Sequence, residues 1–334
     1  MSENHSSIAV LGAGSWGTAL AILLAKNDQD VRLWDKNEAL LGDMKSARRN
    51  ARYLPDVAFP SNIQVCATLE EAIIGVQDIL LVVPSHVFGN ALKDLKPFLK
   101  PTHRIAWATK GLEPGTGNFL HSVAERELGN HIPYAVISGP SFAREVALGL
   151  PTAVTLASRN SLFADALAKK FNCDNFCIYL TDDIVGVQLG GVVKNVLAVA
   201  VGIADGIALG ANARAALMTR GLAEMMRLGN ALGARPETLM GLAGCGDVIL
   251  TCMDNQSRNR RFGLALAEGL TEAKAQEQIG QVVEAVYNVD QLFHLAKKCQ
   301  VELPIAEQVF RVMKHGVSPR EALSVLFKRM PGSE

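Results

Sequence analysis

The sequence has no excess of charge of either sign: 33 Lys and Arg stand against 33 Asp and Glu in 334 residues. A balanced chain has no general attraction for nucleic acid or an anionic membrane, so any anion site must be built locally. Cysteine is scarce and scattered. Of the six, only Cys173 and Cys177 are close, with no histidine beside them, and the seven histidines lack metal-ligand spacing. That is a poor zinc pattern, so no metal is expected and reduced thiols are the default. Internal repeats, long low-complexity segments and flexible linkers are missing too. Residues 1–7 lack the basic-then-apolar pattern of a secretory signal, which points to the cytoplasm. One stretch, 189–209, is long and apolar enough to raise a membrane span, but Lys194, Asn195 and Asp205 interrupt it. Charges inside a bilayer are costly, so a buried core helix is expected there, without stable membrane insertion.

What remains is ordinary globular composition, 49% apolar and 20% charged, at a length that suggests two domains. Residues 7–11 read as a short buried strand, followed by Gly12-Ala-Gly-Ser-Trp-Gly17 and a helix over 18–25. Between a strand and a helix, Gly-x-Gly-x-x-Gly is the pattern of a dinucleotide-binding turn. Gly12 serves the tight turn, Gly14 the approach of a pyrophosphate, and Gly17 the packing of helix on strand. A second strand over 31–34 ends at Asp35, where an acid takes the ribose hydroxyls of NAD. Lys36 follows and could instead face a 2′-phosphate, so the choice between NAD(H) and NADP(H) stays open, with a lean toward accepting NADH.

Strands alternating with helices continue through 63–65, 78–83, 104–107, 134–137, 152–157 and 176–180. This argues for a parallel, doubly wound sheet, in which ligands bind at the C-terminal ends of the strands. His86, Lys110 and the loop Ser138-Gly-Pro-Ser-Phe-Ala143 all fall there. His86 reads as an acid or base, or more blandly as a helix start. Lys110 alone would read as a solvated loop lysine. The 138–143 loop offers Gly139 for close approach and the Ser141 hydroxyl.

After residue 183 strands give way to helices, which divides the chain into a dinucleotide-binding domain (1–183) and an all-α substrate domain (184–334). The first helix, 184–204, is almost wholly apolar around Lys194. The positions three and four away from it are Gly190, Gly191, Leu197 and Ala198, none a counter-charge. A lysine there either snorkels to the surface or works as an acid or base whose pKa the apolar surroundings tune. Asp247 follows a Gly-rich bend and precedes a short apolar run over 248–250. Asn255-Gln-Ser-Arg-Asn-Arg-Arg261 precedes a helix expected from 262. Arginines at a helix start are disfavoured by its dipole unless an anion sits among them; otherwise they form a solvated edge. The cleft between the domains is the expected site.

Together these motifs resemble the bacterial NAD(P)-dependent glycerol-3-phosphate dehydrogenases. The resemblance rests on the glycine loop, Val83-Pro-Ser85, Ala108-Thr-Lys-Gly-Leu112, the 138–143 loop, Gln188-Leu-Gly-Gly-Val-Val-Lys-Asn195 and Gly210-Ala-Asn-Ala-Arg214. It continues with Gly244-Cys-Gly-Asp247, Thr251-Cys252, the 255–261 segment and Gly280-Gln-Val-Val-Glu284. It implies a Rossmann-like sheet domain joined to a helical domain like the C-terminal domain of 6-phosphogluconate dehydrogenase. It implies reversible hydride transfer between NAD(P)H and dihydroxyacetone phosphate, giving sn-glycerol 3-phosphate for phospholipid synthesis. By the same resemblance Lys194 is the proton donor and acceptor, and Lys110 touches both substrate and cofactor. Gly139, Ser141, Asp247, Ser257, Arg258 and Asn259 contact substrate. Ser15, Trp16, Lys36, Ala143, Arg258, Val282 and Glu284 contact cofactor. The chain departs from the family at Val192, Cys245 and Asp35, and the last is atypical of a member preferring NADPH. The sequence leaves room for a homodimer. A hydroxyacid or 6-phosphogluconate-type dehydrogenase and a nucleotide-sensing module without turnover are the rival readings.

Overall fold

The computed structural model describes residues 7–328; residues 1–6, which carry most of the polar N-terminal stretch, and 329–334 lie outside the described residues. The first half alternates β1 (Ser7–Leu11), α1 (Ser15–Lys26), β2 (Asp30–Trp34), α2 (Glu38–Ala47), β3 (Arg49–Asn50), β4 (Leu54–Ala58), β5 (Ile63–Val65), α3 (Leu69–Ile73), β6 (Asp78–Leu81), α4 (Phe88–Leu95), β7 (Arg104–Trp107), α5 (Leu120–Leu128), β8 (Tyr134–Ser138), α6 (Ala143–Leu148), β9 (Thr152–Ala157), α7 (Ser161–Phe171) and β10 (Phe176–Thr181). Helices follow: α8 (Ile184–Gly206), α9 (Gly210–Ala231), α10 (Pro236–Met240), α11 (Asp247–Met253), α12 (Arg258–Ala267), α13 (Glu272–Ile279), α14 (Ala285–Lys298), α15 (Pro304–His315) and α16 (Pro319–Lys328). The last was expected to reach Arg329, which is outside the described residues.

Eight strands form one sheet in the order β10-β9-β8-β7-β6-β1-β2-β5. The order in which the chain adds strands reverses beside β1, so the β1 and β6 ends flank a crevice, as in a doubly wound sheet. The expectation of a wholly parallel sheet needs one correction: β8 and β9 pair antiparallel, with Val136 opposite Ala157. A parallel crossover needs a helix that runs back along the sheet. α6 has only 6 residues, about 9 Å at 1.5 Å per residue, too short to return along β8. The β3–β4 hairpin forms a separate two-stranded sheet that the sequence reading did not anticipate.

Both faces of the sheet are covered. One apolar layer joins α1, α2 and α7 to the strands. The other joins Trp107 and Val136 to Phe88 and Val123, and also takes in Ile184, Val187 and Ala243 from the helical half. The two halves thus share a core. At the centre of the helical half is α8, capped by Asp183, whose Oδ1 accepts from Gly186 N at 2.8 Å and Oδ2 from Arg235 N at 2.8 Å. It is the helix among the described residues long and apolar enough to cross a membrane, yet 89% of its apolar window is buried inside the protein. Each buried Val, Leu or Ile on it contributes about 1.5–3 kcal/mol relative to exposure, which explains a core helix without invoking lipid.

Glycines let its neighbours approach. A Cβ on Gly190 would lie 2.2 Å from the Ala243 carbonyl oxygen, and one on Gly202 would lie 2.2 Å from that of Arg260. Val192, one of the departures from the family pattern, is fully buried in this helical core.

Candidate functional site

The crevice at the C-terminal ends of the strands opens into a cavity of about 950 Å³ lined from both halves of the chain. At one end lies the glycine loop. Gly12 holds φ +108°, and a Cβ there would lie 2.4 Å from the Val82 carbonyl oxygen. Only glycine satisfies both constraints. Buried Asn50 pins the loop by donating to the Ala13 carbonyl at 2.7 Å and to Thr18 Oγ1 at 2.8 Å. α1 starts from Gly14 without a side-chain cap, and a Cβ on Gly14 would meet nothing within 4 Å. Trp16 Nε1 is buried with no hydrogen-bond partner beside this loop. An uncapped helix start, open backbone and an orphaned donor suit a phosphate-bearing dinucleotide.

Where the two halves meet, three charges converge. Lys110 Nζ lies 2.6 Å from Asp247 Oδ2 and donates to the Gly139 carbonyl at 3.0 Å. Lys194 Nζ lies 3.2 Å from Asp247 Oδ1 and donates to Thr251 Oγ1 at 3.1 Å. Thr251 in turn donates to Asp247 Oδ1 at 3.2 Å. The side chains of Lys110, Lys194 and Asp247 keep only 14%, 13% and 2% of their exposure. Burial pulls the Lys110 pKa down to about 8; the Lys194 ammonium pushes the same way and Asp247 opposes both. Burial would raise Asp247, but the two ammonium groups outweigh it and hold the carboxyl below its ordinary range. Two cations against one carboxylate leave a net positive charge in a neutral chain, ready for an oxygen that gains electron density.

Local structure explains the convergence. Lys194 has no counter-charge within a turn of it on its own helix, and finds one on α11. Gly190 seats the backbone of the Leu242–Gly246 π-helical turn, which delivers Asp247. A Cβ on Gly191 would lie 3.4 Å from Lys110 Cβ and Cγ, so the stem of Lys110 packs on that glycine. Asp247 and Thr251 share one face of α11, four residues apart.

A third group surrounds Arg258, the first residue of α12. The helix was expected from residue 262; Ser257 starts it earlier by accepting from Arg260 N at 3.2 Å, a cap that offsets the unfavourable cations of the first turn. Burial lowers the Arg258 pKa, while Glu284 pulls it back up. Asn259 donates to Asn195 Oδ1 at 2.8 Å and accepts from Ala285 N at 3.1 Å. Glu284 accepts from Ser85 Oγ at 2.6 Å, tying α14 to the end of β6; burial raises its pKa against those bonds and Arg258.

The structure brings into one cleft Gly12, Gly14, Ser15, Trp16, Gly17, Asp35, Lys110, Ser141, Ala143, Lys194, Asp247, Ser257, Arg258, Asn259, Val282 and Glu284. Gly139 lies just behind, its carbonyl accepting from Lys110 and from Ser141 Oγ. Lys36 is not brought in: its side chain is 86% exposed, 3.6 Å from Asp94. His86 is outside too, stacked on Tyr287 at 4.1 Å in the turn before α4. Sequence reasoning assigned nothing to Thr251, Asn195 or Ser85. The i, i+4 spacing of Asp247 and Thr251 would have signalled the first, had 247–253 been read as a helix.

Comparisons with known proteins converge on one family. Residues 7–164 match the family described as NAD-dependent glycerol-3-phosphate dehydrogenase N-terminus, and residues 183–324 match its C-terminus counterpart. The chain is 52% identical over 335 residues to glycerol-3-phosphate dehydrogenase (NAD(P)+) of Pseudoalteromonas translucida, covering 100% of both chains. It is 52% identical to the enzyme of the same name from an Escherichia coli strain, over 98% of this chain and 97% of that one. The crystal structure of glycerol-3-phosphate dehydrogenase from Coxiella burnetii matches with a TM-score of 0.95 at 51% identity, over 97% of this chain and 99% of that one.

Proposed function

The chain belongs to the NAD-dependent glycerol-3-phosphate dehydrogenase family, and from that membership we propose how its cleft performs the NAD(P)H-dependent, reversible reduction of dihydroxyacetone phosphate to sn-glycerol 3-phosphate. The observation that carries the reading is the buried Lys110–Asp247–Lys194 cluster in the same cleft as the glycine loop. Residues 1–183 hold the dinucleotide, and 184–334 supply most of the groups for substrate and proton transfer.

The nicotinamide, when bound, supplies the hydride that reduces the carbonyl carbon. Lys194 Nζ donates the proton to the carbonyl oxygen and recovers it in the reverse direction. Thr251 Oγ1 and Asp247 Oδ1 aim that ammonium. Lys110 Nζ places a second positive charge near the same oxygen, where negative charge develops. Asp247 stands between the two amines, within 2.6 Å of Lys110 Nζ and 3.2 Å of Lys194 Nζ. Arg258, flanked by Ser257 and Asn259, grips the phosphate with a forked guanidinium, while Gly139 and Ser141 border the other side of the substrate. Fixing the phosphate also fixes the ketone, which lowers the entropic part of the barrier. The glycine loop, Trp16, Ala143, Val282 and Glu284 hold the dinucleotide. The site residues named here all come from one chain, which is compatible with a homodimer without requiring one. The product is the backbone of glycerophospholipids, and the cytoplasm is the compartment this reading assigns.

A second reading makes Lys110 the proton donor, since its pKa of about 8 lies close to the working pH. Variants separate the two. Lys194→Ala should abolish the change in nicotinamide absorbance with dihydroxyacetone phosphate while NADH still binds. Wild-type-like turnover in Lys194→Ala, together with a dead Lys110→Ala, would transfer the role to Lys110.

A further inference from the structure

We infer that this chain selects NADH over NADPH and that Asp35 makes the selection. The inference rests on the reading of the cleft as a nicotinamide dinucleotide site and adds which of the two nucleotides it is built for. In the sequence, Asp35 and Lys36 pull in opposite directions. The structure separates them. Asp35 lines the cleft at the end of β2, beside the glycine loop. Its Oδ2 accepts from Ala13 N at 2.7 Å, and its Oδ1 accepts from Asn37 N at 3.0 Å. Both bonds come from neutral backbone donors. They fix the carboxylate against the loop without cancelling its charge, and each oxygen keeps a lone pair for a further donor. A carboxylate held there is a ready acceptor for vicinal ribose hydroxyls. It stands against a 2′-phosphate, which carries about −1.5 to −2 charge near neutrality.

An NADPH site needs a cation to answer that phosphate. Three of the cations that follow β2 in the chain are turned elsewhere. Lys36 points to Asp94. Arg48 donates to the Ile63 carbonyl at 2.7 Å and to the Pro60 carbonyl at 2.5 Å. Arg52 lies over the Tyr53 ring, 5.3 Å from its centroid. None of these three is among the described residues lining the cleft. Arg144 and Arg261 do line it, but the Arg144 guanidinium is 2.9 Å from Asp56 and Arg261 belongs to the first turn of α12, not to β2 or the turn after it. The polar side chains that β2 and the turn after it contribute to the lining are Asp35 and Asn37; Asn37 Oδ1 already accepts from Leu40 N at 3.1 Å, which leaves Asp35 as the acceptor suited to hydroxyls.

The test is equilibrium titration of the full chain with NADH and with NADPH, followed by calorimetry or by tryptophan quenching. A wild-type Kd for NADPH about tenfold or more above that for NADH is expected, equivalent to about 1.4 kcal/mol. Asp35→Ser should shrink the ratio to below about threefold, chiefly by tighter NADPH binding. Asp35→Asn keeps an oxygen for Ala13 N and should shrink it likewise if the serine variant fails to fold. A wild-type ratio under tenfold overturns the inference, as does a ratio unchanged in a folded Asp35 variant. Tighter NADPH binding that is lost in Lys36→Ala also overturns it and moves the phosphate contact to Lys36. Failure to bind either nucleotide removes the dinucleotide reading itself, which separates that failure from this one.

Discussion

Replacing Asp247 by asparagine removes one charge and almost no volume, and its effect can be worked from the cluster. The carboxylate lies 2.6 Å from the Lys110 nitrogen and 3.2 Å from the Lys194 nitrogen. At an effective dielectric constant of about 20, one such contact near 3 Å is worth roughly 5 kcal/mol of attraction. In the intact protein Lys110 has a pKa of about 8, only one unit above neutrality. One unit corresponds to about 1.4 kcal/mol. The attraction removed is several times that margin, so Lys110 must lose its proton at pH 7 rather than sit charged beside Lys194. Deprotonation also limits the folding penalty, since no uncompensated pair of buried cations persists.

The site then faces the developing oxyanion with one ammonium instead of two. Loss of a single preorganised donor to an oxyanion costs about 10²–10³ in rate. Asp247→Asn should therefore lower kcat/KM for dihydroxyacetone phosphate by about that factor at pH 7. The sign with pH follows from the same shift. In the wild type the reduction should weaken as pH rises through about 8, where Lys110 loses its proton. In the variant that fall moves to lower pH, and activity partly returns on acidification. Steady-state nicotinamide absorbance from pH 5.5 to 9, with near-ultraviolet circular dichroism as the check on folding, reads both effects. A folded variant within threefold of wild type across that range would refute the role given to the carboxylate.

Two further substitutions test the frame. A Cβ on Gly190 meets the Ala243 backbone 2.2 Å away, whereas one on Gly42, in the middle of α2, meets nothing within 4 Å. Gly190→Ala should thus destabilise by about 1–3 kcal/mol and lower activity by displacing the turn that carries Asp247, while Gly42→Ala should stabilise by about 0.5–1 kcal/mol; urea titrations that rank them the other way would count against the packing argument. Glu224 caps α15 by accepting from Ile305 N at 2.7 Å and Ala306 N at 3.3 Å, and burial raises its pKa to about 7 against those bonds. The folded state therefore binds more protons than the unfolded one between the ordinary carboxylate value and pH 7, so stability falls as pH rises through that window. The rise from the ordinary carboxylate value to about 7 sets the loss at up to roughly 3 kcal/mol; Glu224→Gln should flatten the fall between pH 5 and 8, and parallel slopes for the two proteins would show that Glu224 is not its source.

Periodicity made the sheet legible. Each of the eight expected strands recurs in it, because buried strands leave short apolar runs closed by turn residues. Direction was less legible. Whether β9 runs with or against β8 depends on how far α6 reaches, and its length is set by where Gly149 ends it with φ +81°. The α12 boundary slipped because the arginines of its first turn argue against a helix, and the Ser257 cap prevails only if one counts it. Residues 248–250 read as a short apolar run and not as part of the helix Asp247–Met253, because an adjoining π-helical turn hides the 3.6-residue period. Charge placement was least legible of all. Asp35 and Lys36 are adjacent, and only the backbone donors of Ala13 and Asn37 turn one toward the cleft.

Lys194 shows why. Read along its own helix, it is a cation among apolar side chains, and its apolar neighbours were the only means of tuning in view. Burial is half of the arrangement. The other half comes from small residues on the same face, Gly190 above all. Gly190 admits the backbone that ends in Asp247, and Gly191 admits the stem of Lys110. A larger residue at Gly190 would meet the Ala243 carbonyl at 2.2 Å and displace the turn that brings Asp247 to the lysine. A buried charge without a partner destabilises the fold and tends to neutralise, so the same helix with alanines would carry an uncharged or outward-turned lysine. What gives the buried Lys194 its counter-charge is therefore the residue four positions before it, through the backbone it allows to approach.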